Sequence, residues 1–318
     1  MTLSELSNGR LEIVMYHYVR PLNHENFSRL RFLDLDRFRY QLDYLCLNRN
    51  IIPTDLVIDC VLGRKPLPKN ACWLTFDDGY TDHYQYVFPE LKKRGLSAAF
   101  FPAANSILKH ELIDATAIQH ILAMCDYKKH LRLEIDQLAI ERGVTPAAIE
   151  RLRALHLQSN RFDSAEVIYI KRALQHALPY NVRKEIIDIL FNTHVQMDPA
   201  SLAKRIYMSK SQLQEMMNSG MYIGSHGTEH CWLDQKTYRE QYADILESLY
   251  FLEELGGKTK NWVMCYPFGT FNTDTLAIVS SLGAAAGIIT EPRIADLNRD
   301  NRLTLPRVDT NDLPQAMP

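Results

Sequence analysis

The sequence predicts an α/β protein built on a parallel sheet or barrel with helices outside it. Three observations carry that expectation. Strand-like apolar runs near residues 11–17, 71–76, 97–103, 221–225, 262–266 and 286–290 alternate with helical patterns. His17, Asp77, Asp78, His226 and Phe268 each close such a run, and the carboxyl ends of parallel strands are where folds of this kind build their sites. A chain of 318 residues with 46% hydrophobic content can also bury the core of one large domain carrying an inserted module.

The first run, Ile13-Val14-Met15-Tyr16-His17-Tyr18-Val19, carries one histidine close to its end. Asp36 to Leu47 follows as a helix with Phe38, Leu42 and Leu45 on one face. The next strand, Leu74-Thr75-Phe76-Asp77-Asp78-Gly79, stops abruptly at two carboxylates and a glycine. Neighbouring side chains on a strand point to opposite faces, so Asp77 and Asp78 meet different surroundings and one dipeptide can supply both a base and a metal ligand. A simple turn or helix start is the plainer alternative for Asp-Asp-Gly. Just beyond, Asp82 reads as a helix cap and His83 as a structural or solvent-facing residue on the first turn.

Between Ala104 and about Tyr207 the pattern is helical, with Asp114 to Met124, Ala147 to Leu157, Ser164 to Leu178 and Asn181 to His194 as segments. The division is therefore 1–105 with 206–318 as the main domain and 106–205 as an inserted helical subdomain. Because the insert follows a strand end, it serves either as a cap or as a module for dimer contacts and stability; a homo-oligomer stays open.

Downstream, Met221-Tyr222-Ile223-Gly224 runs into Ser225-His226-Gly227-Thr228-Glu229-His230. That spacing lets both imidazoles reach one cation, a surface helix pair being the alternative. Together with Asp78 they form a two-histidine, one-carboxylate set for a divalent ion, zinc first, with Fe, Co, Ni or Mn open. Asp234 to Leu255 is read as a helix capped by Asp234 and stopped at Gly256-Gly257, with Tyr238, Tyr242, Ile245, Leu249 and Leu252 as a core-facing stripe. A last buried-strand pattern, Val263-Met264-Cys265-Tyr266-Pro267-Phe268-Gly269, is broken by Pro and Gly.

Thr75-Phe76-Asp77-Asp78-Gly79, His226 to His230 and Tyr266-Pro267-Phe268-Gly269, in this order, resemble the first three motifs of the polysaccharide deacetylase (NodB-homology) family, also called carbohydrate esterase family four. The resemblance spans residues 10 to 105 and 206 to 310. It implies an incomplete (β/α)7 barrel of NodB-homology type. It further implies Asp77 as general base, Asp78, His226 and His230 as metal ligands, and the Phe268 backbone N–H as an oxyanion donor. Such chemistry is physically coherent: a cation acidifies water to a pKa of about 7, a carboxylate takes the remaining proton, and one oxyanion donor contributes about 3 to 4 kcal/mol.

Two departures stand out. Family members often carry a Leu-x-His motif near the C-terminus, whereas this chain has no histidine after His230. Some members are circularly permuted, and Met15-Tyr16-His17 looks like that motif moved to an N-terminal strand. His17 is then the general acid, a role for which histidine as a residue type is suited near neutral pH. The arginine that often precedes the Pro-aromatic pair is Cys265 here. Arg307, in Leu305-Pro306-Arg307-Val308-Asp309, follows another short apolar run and could reach Asp77 from a neighbouring strand.

A formal charge of −2 gives no electrostatic footprint for nucleic acid, and no basic run suggests a membrane surface. Residues 1–7 lack the features of a signal peptide and no stretch of eighteen apolar residues occurs, so the expectation is a cytoplasmic protein without membrane insertion. Cysteines 46, 60, 72, 125, 231 and 265 show no paired spacing, and Cys231 beside His230 is a minor metal candidate. His24 and Arg20, in the loop after His17, lie near the expected site. The resulting reading is a metal-dependent N-deacylase of an amino sugar, such as a sugar nucleotide or glycan precursor. Hydrolysis of a non-sugar amide, a non-catalytic carbohydrate-binding scaffold and a metal phosphoesterase are the alternatives.

Overall fold

A computed structural model describes residues 9–22, 29–160 and 162–315; His24 and residues 1–7 lie outside them. The chain forms two compact units, one made of 1–24, 32–111 and 203–318, the other of 25–31 and 112–202.

In the first unit, seven parallel segments form a ring: β1 (Arg10–Tyr16), β2 (Ala71–Asp77), β3 (Ala99–Phe101), β4 (Tyr222–Ile223), β5 (Trp262–Cys265), β6 (Ala284–Ile288) and β7 (Val308–Asp309). β1 pairs with β2 from Glu12↔Cys72 to Tyr16↔Phe76. The ladder passes to β3 at Thr75↔Ala99 and to β4 at Ala99↔Tyr222. It reaches β5 through one bridge, Ser225↔Met264, and after the β5–β6 pair it moves on through another, Ile288↔Leu305. β7 then pairs with β1 at Val14↔Val308 and returns the ladder to its start. This is the parallel α/β architecture that the sequence predicts.

β2 is buried along its whole length, as a parallel strand sandwiched between barrel interior and outer helices must be. The central cluster takes alternate residues of the strands: Leu11 and Ile13, Ala71 and Trp73, Ala99 and Phe101, Val263 and Cys265, and Leu305. A period of two therefore places Asp77 and Arg307 on the interior side, above Trp73 and Leu305, while His17 stands just past the last residue of β1, Tyr16.

The helix Leu35–Asn48 is capped by Asp34, whose side chain accepts from the Asp36 N–H. The long helix departs from expectation at its start. It spans Tyr238–Leu255, with Thr237 and Glu240 in a reciprocal capping box, while Leu233–Gln235 forms a single separate turn. Asp234 is thus not the cap: the Thr-x-x-Glu pattern satisfies two orphan N–H groups where a lone aspartate satisfies one. The Gly256 stop is observed, at φ 81°.

The expected core stripe holds in part: Ile245, Leu249 and Leu252 are buried, but its two tyrosines are not. Tyr238 and Tyr242 are 50% and 37% exposed and stack on each other. The buried face adds Gln241, Asp244 and Ser248 to those three aliphatic residues. Its polar members are tolerated because each has a partner, such as Ser225 for Ser248 at 2.6 Å.

The second unit is helical: Asp114–Met124, Lys128–Glu141, Pro146–His156, Ala165–Arg172 and Tyr180–Leu190 are its main helices. Lys128–Glu141 was not read from the sequence, its buried Leu131, Ile135 and Ala139 being diluted by charged neighbours. Asp136 is the hub of this unit, taking bonds from Arg132, Arg153 and Tyr169. Among the described residues no helix is long and apolar enough to cross a membrane.

Candidate active site

The inward-facing strand ends meet at Asp77. Arg307 donates to both of its oxygens, Nη1 to Oδ1 at 2.8 Å and Nη2 to Oδ2 at 2.7 Å. The guanidinium is fixed in turn by Ile289 O at 3.0 Å and Thr75 Oγ1 at 3.2 Å. Cys265 donates its thiol to Asp77 Oδ1 at 3.3 Å. Burial pushes the Asp77 carboxyl up, but the charge and bonds of Arg307 outweigh it and hold the group down at about 2. His17 Nε2 lies 3.9 Å from Asp77 Oδ2, with its side chain 44% exposed. Arg307 is therefore a buried clamp and His17 the solvent-facing member of the set.

Asp78 leaves the strand. Its φ is +71°, a left-handed conformation that is strained for a side chain of this kind. Gly79 follows at φ +71°, where a Cβ would come within 2.6 Å of Pro102. This reversal turns the Asp78 carboxylate towards the histidine loop. Asp78 Oδ1 sits 3.4 Å from His226 Nε2 and 3.2 Å from His230 Nε2, and candidate ligand atoms of the three residues lie within 4.8 Å of one another.

His226 Nδ1 is 2.6 Å from the carbonyl oxygen of Cys265. A carbonyl only accepts, so Nδ1 carries a proton and Nε2 is the nitrogen turned towards Asp78. Burial raises the Asp78 carboxyl, yet the imidazoles of His226 and His230 facing it take it well below the usual range. Asp78 Oδ1 is buried without a hydrogen-bond partner among the described residues. An orphaned carboxylate oxygen facing two imidazole nitrogens fits a divalent cation.

The loop that brings both histidines together is held from the long helix by Asp244, which sequence reasoning missed. Its carboxylate accepts from the N–H groups of Thr228 at 3.1 Å and Glu229 at 2.8 Å, and its carbonyl accepts from Thr228 Oγ1 at 2.7 Å. Gly227, at φ +70°, leaves room for this contact; a Cβ there would come within 2.6 Å of Asp244 Oδ2. Burial raises the Asp244 carboxyl to about 6, against the pull of those N–H groups. In sequence its only signal is an acid on the inward face of a helix.

Phe268 lies in the tight turn Pro267–Gly269 with φ 58°. Its ring meets His230 edge-on at 4.8 Å and stacks on Trp232 at 4.8 Å. Cys231 groups with Glu229 and Asp244, apart from the Asp78 set. His83 is fully buried, so the solvent-facing reading is corrected. Asp82 forms no cap, because its carboxylate is taken by Arg20 Nε at 2.7 Å; Arg20 is itself buried.

A parallel α/β barrel whose strand ends gather an acid pair, two histidines and a buried arginine has the architecture of a hydrolase. The polysaccharide deacetylase family profile matches residues 64–148 and 177–287, and the chain belongs to that family. YxkH of Bacillus subtilis (strain 168) is 20% identical over 287 residues, covering 90% of this chain and 67% of the relative. Among solved structures, the Streptococcus pyogenes deacetylase PplD in complex with acetate is similar at a TM-score of 0.58 and 19% identity, with 96% of this chain and 93% of that one covered. IcaB from Ammonifex degensii is similar at 0.57 and 19%, with 96% and 94% covered. These likenesses establish the fold.

Proposed function

We propose that this chain is a metal-dependent N-deacetylase of an amino sugar, with Asp78, His226 and His230 as the ligands of one divalent cation, zinc first. The observation that carries this reading is the buried, partnerless Asp78 Oδ1 faced by two imidazole Nε2 atoms. A cation held there supplies Lewis-acid chemistry, polarising the acyl carbonyl and acidifying water enough for a weak base to take its proton.

The chain's own groups do the rest. Asp77 accepts the proton of the attacking water, its lone pairs aimed by Arg307 and Cys265. Arg307 keeps that carboxylate ionised and oriented, at the expense of its strength as a base. His17 faces Asp77 across 3.9 Å and delivers a proton to the leaving nitrogen, without which an amide anion would have to depart. The Phe268 N–H donates to the oxyanion. The family's substrates supply the sugar; a sugar nucleotide or other glycan precursor is the first candidate and a glycan oligomer the second. Residues 106–205 are proposed as an inserted helical subdomain serving either as a cap or as a module for dimer contacts and stability; deleting residues 108–204 raises KM in the first case and leaves it unchanged in the second.

The test is metal analysis of the purified protein together with acetate and formate release from N-acylated sugar nucleotides, glycan precursors and oligomers. Asp78→Asn is expected to lose the metal. Asp77→Asn should keep it and lose about a hundred-fold or more in rate. An unchanged rate in Asp77→Asn, or bound metal with no acyl release from any arm, would overturn the reading in favour of a carbohydrate-binding role.

A further inference from the structure

The three residues Tyr80, Asp82 and His83, just after the Asp77-Asp78-Gly79 turn, all touch the loop that bears His17. Tyr80 stacks on Tyr18 at 3.8 Å. Asp82 accepts from Arg20 at 2.7 Å, with both side chains buried. His83 Nε2 lies 2.8 Å from the backbone carbonyl oxygen of His17 itself. That oxygen can only accept, so Nε2 holds the proton and Nδ1 is left as a bare acceptor. Nδ1 has no partner among the described residues.

This arrangement is costly. The His83 ring is fully buried and in contact with Phe76 at 5.4 Å, Tyr80 at 5.9 Å and Phe100 at 5.7 Å. Leaving one nitrogen unsatisfied in such a place is unfavourable, and an apolar ring would fill the same space without that penalty. Local rules broken without a packing gain point to function. His17 lies beyond the last residue of β1, Tyr16, and its side chain is exposed, so neither the ladder nor close packing fixes its direction.

We propose that His83 is a positioning residue: by holding the carbonyl of His17, it fixes the peptide from which the imidazole projects towards Asp77. This rests on the reading of His17 as the proton donor to the leaving nitrogen. Burial pushes the His83 imidazole down to about 4, which keeps it neutral and its single N–H committed to the carbonyl across the working range of pH.

The experiment compares His83→Phe, His83→Gln, His17→Ala and the His83→Phe/His17→Ala double variant on two substrates. One is an N-acetylated amino sugar, whose nitrogen needs a proton to leave; the other is 4-nitrophenyl acetate, whose phenolate does not. His83→Phe should lower kcat on the amide about ten- to a hundred-fold, with KM, metal content and aryl ester hydrolysis unchanged. Glutamine, which can place an amide N–H near the same point, should recover most of the loss. In the His17→Ala background His83→Phe should have no further effect. Should His83→Phe not fold, His83→Met carries the same expectations. Equal losses on amide and ester, additive losses in the double variant, or full amide activity in His83→Phe would overturn the proposal. Full amide activity in His17→Ala would instead sink the reading on which it rests, since the two variants are measured separately.

Discussion

Arg307→Met tests how much the barrel mouth depends on one ion pair. Both partners are buried, the Arg307 side chain at 0% exposure and that of Asp77 at 3%. Removing the guanidinium deletes two bonds to the carboxylate and leaves it, among the described residues, with the Cys265 thiol, a weak donor, and His17 at 3.9 Å. An uncompensated buried charge of this kind destabilises by about 3–5 kcal/mol. At about 2–4 °C per kcal/mol for a unit of this size, melting should fall by roughly 6–20 °C. Asp77→Asn alone should cost less, about 1–3 kcal/mol, because Arg307 keeps Ile289 O and Thr75 Oγ1. The decisive variant is the double one. Asp77→Asn/Arg307→Met carries no buried unpaired charge and should be more stable than Arg307→Met, with a coupling of about 2 kcal/mol or more. Urea and thermal unfolding followed by circular dichroism measure all four proteins. A double variant no more stable than Arg307→Met, or a single-variant loss under about 1 kcal/mol, would refute the argument.

Asp244→Ala frees two backbone N–H groups of the histidine loop and should weaken metal affinity about ten-fold or more, read by competition with a chelating dye. Gly227→Ala, which drives a Cβ to 2.6 Å from Asp244 Oδ2 at φ +70°, should do the same with a drop in melting temperature. Stability should also fall on acidification through His83. Its folded pKa is depressed from 6.5 to about 4, so below 6.5 the unfolded chain takes up a proton that the folded one refuses. The loss grows as pH falls from 6.5 to about 4, reaching about 3 kcal/mol. His83→Gln should flatten that slope in urea midpoints measured across the window. The stabilisation of Asp77, a carboxylate held down at about 2, is present above 3.8 and lost only below it, which separates the two effects.

Strand ends were legible because burial on both faces writes an unbroken apolar run. The chemistry then declares itself where the run breaks, as at Asp77, His226 and Phe268. Arg307 could be assigned to Asp77 because it too ends such a run, and the structure puts the pair at 2.8 and 2.7 Å. Asp244 and His83 were not legible. Each is a polar residue on a helical segment, which normally marks a solvated face, and each is buried only because a partner arrives from 15 or 66 residues away. The misplaced start at Asp234 has the same origin as the tyrosine stripe. A cap read three residues early lengthens the helix by nearly a turn, and the inward face is set by Ser225, Thr228 and Glu229, which periodicity does not see.

The ring of strands has two seams. Between β4 and β5, and between β6 and the segment leading to β7, the ladder narrows to the single bridges Ser225↔Met264 and Ile288↔Leu305. His226 begins one residue past the first, and Arg307 stands two past the second. Amide protons along these joints should exchange with solvent sooner than those of the five-rung zipper between β1 and β2. Breathing at the seams would then let the imidazole loop and the guanidinium strand adjust to an incoming sugar while the stave carrying Asp77 stays still.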